Sequence, residues 1–242
     1  MVRDRGLKKT FGKASKLYDS ARVGYSQNLI NDVISSSRIP KNGKILEVGC
    51  GTGKATIMFG EKGYDILAID ISEDLVALAR RNTPHLPNIH YDVVSFEDAD
   101  LKPNSFDLIV AAQSWHWTDP KIRYKKAHKI LKDSGVIAVF YKYQDDSKSA
   151  FVAEVRSLYR KHCPKFPDDF EQRQQHFGES AIASNLFGNL EERTYEIYFK
   201  FSKEKYVGLI QTLSYVAALE EEDKKRFLTD LSRRNKGQKM AK

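Results

Sequence analysis

The chain reads as an α/β domain, a doubly wound, mainly parallel sheet with helices on both faces and a helical cap. Three observations predict this. Short apolar runs alternate with amphipathic stretches of helical period from about residue 44 to residue 143, the pattern of strands buried on both faces by crossover helices. A glycine cluster, Gly49-Cys50-Gly51-Thr52-Gly53, sits where the first such strand hands over to a helix. Beyond Ser147 the pattern becomes mostly helical and more polar.

Taken in order, Thr10 to Ser20 and Gln27 to Ser37 predict two leading helices, and Pro40-Lys41-Asn42-Gly43 a turn. Lys44 to Val48 is the first strand, followed by the glycine loop and a helix from about Lys54 to Glu61. Tyr64 to Asp70 is the second strand, and Ser72 is placed to cap a helix over Glu73 to Arg81. Ile89 to Val94 and Phe106 to Ala112 are the third and fourth strands, and Lys121 to Leu131 a helix. Asp133-Ser134-Gly135 turns into a fifth strand, Val136 to Tyr143. Glu191 to Phe201 alternates as a sixth strand, with Tyr195, Ile197, Phe199 and Phe201 on one face. Lys203 to Leu219 and Glu220 to Arg233 read as two closing helices. The expected organisation is an N-terminal helical lid (1–39), a ligand-binding core (40–146), and a cap with a sixth strand and basic tail (147–242).

Two cysteines give no disulfide framework, and the six histidines show no zinc-ligand spacing with them. Apolar runs are too short to span a bilayer and no signal peptide opens the sequence, so a cytoplasmic protein without a structural metal is expected. The net charge is +8, but residues 1–22 contribute +5 and residues 224–242 contribute +7, leaving the body at −4. Basic ends on an acidic body suit solvated termini better than a nucleic-acid-binding face.

The glycine loop carries the chemistry. Glycines between a strand and a helix let the backbone approach a ligand closely. The spacing is G-x-G-x-G, with Lys54 following, not the G-x-G-x-x-G of dinucleotide sites. Glu47, two residues before Gly49, would repel a pyrophosphate but attract the ammonium and sulfonium of S-adenosylmethionine. Asp70, nineteen positions after Gly51 at a strand end, can accept hydrogen bonds from both hydroxyls of a ribose.

Ile45-Leu46-Glu47-Val48-Gly49-Cys50-Gly51-Thr52-Gly53 resembles motif I of the class I S-adenosylmethionine-dependent methyltransferases, whose sheet is Rossmann-like. Ala68-Ile69-Asp70-Ile71-Ser72 is similar to their second motif, Ser95-Phe96-Glu97-Asp98 to the segment bordering the adenine, Ser105 to Val110 to the fourth strand, and Ile130 to Gly135 to the turn before the fifth. Together they cover residues 44 to 143 in order. The resemblance implies a cofactor site of Tyr18, Arg22, Glu47, Gly49, Cys50, Gly51, Gly53, Asp70, Ile71, Ser95, Phe96, Glu97 and Gln113. Ala112-Gln113-Ser114-Trp115-His116-Trp117-Thr118-Asp119, Tyr18 to Tyr25 (with Val23 where proline is usual) and Thr212 to Val216 further resemble the branch that includes trans-aconitate methyltransferases.

Methyl transfer is an in-line displacement, so positioning dominates and a base serves only a protonated nucleophile. His116, after the fourth strand, is the candidate base or orienting group, with Trp115, Trp117, Tyr141 and Tyr215 as candidate substrate-binding residues. The expected partner is a small-molecule methyl acceptor, with a carboxylic acid among the candidates. Alternatives are an RNA methyltransferase gripping phosphates with its basic termini, or a cofactor-binding protein without turnover; a nicotinamide dehydrogenase fits least. Members of this class usually close the sheet with a seventh strand, and Ser232 to Lys242 is too polar to supply one. A sheet lacking its last strand is therefore expected.

Overall fold

A computed structural model describes residues 24–166 and 170–234. The expected Tyr18 and Arg22 contacts and the Thr10 to Ser20 helix lie outside the described residues. Five strands, β1 (Lys44–Val48), β2 (Asp65–Asp70), β3 (Ile89–Val93), β4 (Phe106–Ala112) and β5 (Leu131–Phe140), form one all-parallel sheet in the order β3-β2-β1-β4-β5. The chain winds outward from β1 to β3, then returns to place β4 on the other side of β1. That reversal opens a crevice at the carboxyl ends of β1 and β4, the usual ligand position in such sheets.

Helices α1 (Gln27–Ser37), α2 (Lys54–Gly60) and α3 (Glu73–Asn82) cover one face. There Leu29, Ile30, Phe59, Val76 and Ala79 pack on Ile45, Ile66 and Leu108. Helix α4 (Arg123–Ile130) covers the other, with Tyr124, Ala127 and Ile130 against Leu46, Ile69 and Ile109. The alternation along β1 explains the division: Ile45 faces one layer, Leu46 and Val48 the other. Ser72 caps α3 as its sequence suggests, accepting from Leu75 N–H, and Glu73 and Asp74 complement the helix dipole.

Helices α5 (Ala150–His162), α7 (Lys203–Gln211), α8 (Ser214–Ala217) and α9 (Glu221–Arg234) build a separate cap core around Phe151, Leu158, Tyr159, Tyr206, Ile210, Val216 and Phe227. Helix α6 (Phe170–Ala183) does not join it. Its Phe177 and Ala181 pack instead on the α4 side of the sheet.

Two expectations are corrected. The fifth strand begins at Leu131, five residues early. Leu131 pairs with Phe106 and Val136 with Leu108, so the Asp133-Ser134-Gly135 turn is absorbed as a register shift within the strand. Glu191 to Phe201 forms no strand. Only part of its alternation is used: Tyr195 packs on the sheet core and bonds Asp32 of α1, Arg193 pairs with Asp32 at 3.2 Å, and Phe201 packs on the cap, while Ile197 and Phe199 are exposed. Among the described residues neither a sixth nor a seventh strand follows, and β5 forms one edge of the sheet.

Candidate active site

The glycine loop is tied down on both sides. Gly49 and Cys50 N–H groups donate to the Ile69 carbonyl at 2.8 and 3.0 Å, holding the loop against the end of β2. On the β4 side the Ser114 hydroxyl donates to the Val48 carbonyl. Gly49, Gly51 and Gly53 all take positive φ (72°, 56° and 85°), which the turn requires and L side chains resist. A Cβ on Gly49 would lie 2.5 Å from Ser114 Cβ. A Cβ on Gly51 would meet nothing within 4 Å among the described residues, so its missing side chain leaves room there for a ligand against the loop.

Asp70 closes β2 half-buried beside this opening. Oδ2 accepts from Gly51 N–H at 3.0 Å and Oδ1 from Ser72 N–H at 2.9 Å. Burial raises its carboxyl above the usual range, and the backbone donors of Ser72, Gly51 and Ile71 oppose that rise. Each carboxylate oxygen keeps acceptor capacity beyond its one backbone bond. Ile71 beside it is 37% exposed, an uncovered apolar surface suited to an aromatic base.

Glu47 is placed differently from the sequence expectation. It is 1% exposed, and its Oε2 has no hydrogen-bond partner among the described residues. Desolvation pushes its carboxyl up to about 8, Asp70 adds to the rise, and only the Thr56 hydroxyl opposes it. The raised carboxyl favours the protonated acid beneath the loop, and its unpartnered Oε2 is left to accept or donate there. Cys50 is buried with its thiol well above the ordinary range, desolvation first among the causes, and offers no nucleophile.

The adenine-side residues divide. Ser95 Oγ is engaged locally with Asp98, accepting from its N–H at 3.0 Å and donating to its carboxylate at 2.6 Å. Phe96 points into the core against Trp115, 5.6 Å between ring centres. Glu97 Oε1 accepts from Asp119 N–H at 2.6 Å. The Phe96 side chain is thus a core residue, not a cofactor contact.

At the end of β4, Gln113 takes a positive φ of 63°, its N–H donates to the Phe140 carbonyl and its side-chain amide to the Lys142 carbonyl at 3.0 Å. The turn Trp115–Trp117 follows. Trp115 is fully buried beside Phe96 and Tyr124, which corrects its assignment as a substrate-binding residue. His116 and Trp117 are half-buried with ring centres 4.9 Å apart, and Tyr141 lies 5.6 Å from His116. Phe177 of α6, unmarked by any pattern in its polar helix, stacks on Tyr141 at 5.6 Å and 14°. These rings form an aromatic wall beside the crevice. Tyr215, half-buried, packs against Tyr159 and Phe166 in the cap, and no contact joins it to these rings among the described residues. Just before α1, Tyr25 meets Phe140 edge-on at 5.0 Å, and Lys142 Nζ sits 4.3 Å over the Tyr25 ring.

Residues 46–139 match the family model described as a methyltransferase domain. That segment, from within β1 almost to the end of β5, is similar to a methyltransferase domain. The open Gly51 face, the Asp70 carboxylate and exposed Ile71 fit a nucleoside ligand. An uncharacterised methyltransferase of Mycobacterium tuberculosis is 26% identical over 142 residues, 59% of this chain and 56% of that protein. The chain thus spans about half the length of that relative. A methyltransferase-like protein of Schizosaccharomyces pombe, also uncharacterised, is 25% identical over 92% of this chain and 84% of its own. A solved structure from Anaeromyxobacter dehalogenans, assigned as a type II methyltransferase, superposes with a TM-score of 0.65 at 23% identity, covering 88% of this chain and 87% of the other, and shows the shared fold. Among the described residues the methyltransferase domain and its flanking helices hold no cluster fit for a metal ion and no helix long and apolar enough to cross a membrane.

Proposed function

We propose that this protein transfers the methyl group of S-adenosylmethionine to a small-molecule acceptor. One observation carries the reading: the Gly51–Asp70 cradle and the His116–Trp117–Tyr141 wall stand at the ends of neighbouring strand systems, on either side of the β1/β4 reversal. Asp70 holds the ribose and Ile71 flanks the adenine. The aromatic wall excludes water and orients the acceptor in line with the sulfonium. His116 accepts a proton when the nucleophile carries one, or orients a carboxylate when it does not. A carboxylic acid acceptor, as in the trans-aconitate branch, is consistent with the Gln113 to Asp119 segment. Two buried free cysteines suit a reducing, cytoplasmic setting.

Calorimetric titration with S-adenosylhomocysteine, with NAD as control, tests the cofactor half. Binding that is lost in Asp70→Ala, with none for NAD, supports it; a folded protein that binds neither overturns it. A screen of small carboxylic acids and alcohols for methylation then tests the acceptor half.

A further inference from the structure

The first turn of α4 holds a charged side chain that the methyl-transfer reading does not use. Arg123 is 7% exposed. Its guanidinium carbon lies 4.9 Å from the Tyr124 ring centre and 5.0 Å from that of Phe177. Nε is buried without a hydrogen-bond partner, and no ion pair reaches the side chain among the described residues. Nearby carboxylates are engaged elsewhere: Asp119 Oδ1 accepts from Lys121 N–H at 2.8 Å, and Glu97 Oε1 from Asp119 N–H. Residues 121–130 include five Lys or Arg and no acid.

Burying a cation without a counter-charge is costly. The two rings offset part of that cost through their negative faces, yet supply no lone pair to the guanidinium N–H groups. Phe177 also connects this position to the acceptor wall, since Tyr141 stacks on the same ring. A planar fork of donors, largely buried, held by aromatic faces and unpaired with any anion among the described residues, matches a carboxylate or phosphate group.

We infer that Arg123 forms an oxyanion-binding site at the junction of α4 and α6, taking the carboxylate or phosphate group of a small molecule. The group belongs either to the methyl acceptor or to a separate anionic effector, and both would use the same guanidinium. The site is built from residues outside the cofactor cradle, and only its assignment to the acceptor rests on the methyl-transfer reading.

The test uses the full chain, with inorganic phosphate and succinate as probes against sodium chloride at matched ionic strength. Thermal unfolding and calorimetry are run on the wild type, Arg123→Met, Arg123→Lys and Lys125→Met, the last removing an exposed charge from the same helix. Phosphate or succinate is expected to raise the melting temperature of the wild type and Lys125→Met alike. Arg123→Met should bind the probe at least tenfold more weakly, and Arg123→Lys, which keeps the charge but loses the fork, should fall between. Equal anion responses in wild type and Arg123→Met overturn the site, as does a wild type that responds no more to either probe than to chloride. If Arg123→Met does not fold, an Arg123→Lys variant that binds as tightly as the wild type overturns it instead. Repeating the titration with saturating S-adenosylhomocysteine separates the sources: tightening of succinate binding assigns the anion to the acceptor, and unchanged affinity to an effector.

Discussion

The Gly51 N–H donates to Asp70 Oδ2 at 3.0 Å, joining the middle of the glycine loop to the end of β2 across nineteen residues. The same carboxylate organises the next turn through Ser72 N–H. Asp70→Ala therefore removes an anchor of the loop and the ribose acceptor together. Charge-assisted hydrogen bonds contribute about 1.5–3 kcal/mol each, so S-adenosylhomocysteine affinity should fall by roughly one to two orders of magnitude. Calorimetry on the folded variant measures this, and an unchanged affinity would place the ribose elsewhere.

Glu47 predicts a particular pH dependence. Its folded carboxyl is raised from 4.5 to about 8, so between those values the native state holds a proton that the unfolded chain releases. Its contribution to stability is therefore present below pH 4.5 and declines as pH rises through about 8. At about 1.4 kcal/mol per pH unit, the decline amounts to a few kcal/mol. Asp70, also raised, acts in the same direction. Glu47→Gln should flatten this part of the profile, making the variant relatively more stable at pH 9 than at pH 5. Denaturant titrations of both proteins at the two pH values decide it; parallel profiles would mean Glu47 is ionised in the fold.

Gly49 is constrained by Ser114. Gly49→Ala must place a methyl group 2.5 Å from Ser114 Cβ at a φ of 72°, which should cost about 1–3 kcal/mol. Ser114→Gly removes the colliding atom, so the double variant should recover part of the loss despite the missing hydroxyl bond to Val48. A melting-temperature cycle over the four proteins reads the coupling, and strict additivity would contradict the close approach.

His116 should separate chemistry from cofactor binding. His116→Asn is expected to keep S-adenosylhomocysteine affinity within about twofold while lowering turnover on a hydroxyl or thiol acceptor by roughly 10²-fold. On a carboxylate acceptor the loss should be smaller, because no proton has to leave. Single-turnover rates on an identified acceptor make the comparison; equal turnover by both proteins would reduce His116 to loop packing.

The sheet and loop were legible because local rules and tertiary packing agree there. Alternation along β1, glycines at positive φ and Ser72 at its cap each need only their neighbours to be read. The misplaced residues belong to contacts between distant segments. Glu47 has the sequence position of a ligand contact but lies beneath the loop. Trp115 and Phe96 look like site aromatics and instead fill the α4 layer together. Phe177 and Arg123 had no signal, one inside a polar helix and the other inside a basic run resembling a solvated face. The 191–201 segment has period-two alternation but no ladder: Tyr195 and Phe201 find packing partners while Ile197 and Phe199 stay exposed, so the period alone did not specify a strand.

The open side of β5 sets an order of unravelling. β1 and β2, which carry the cofactor cradle, each have neighbours on both sides, whereas β5, behind the aromatic wall, is held through β4 alone. Its outward-facing amides should exchange with deuterium well before those of β1. On the proposed reading, the acceptor wall would then loosen before the nucleoside cradle, and the expected order of release is methylated product first and spent cofactor second.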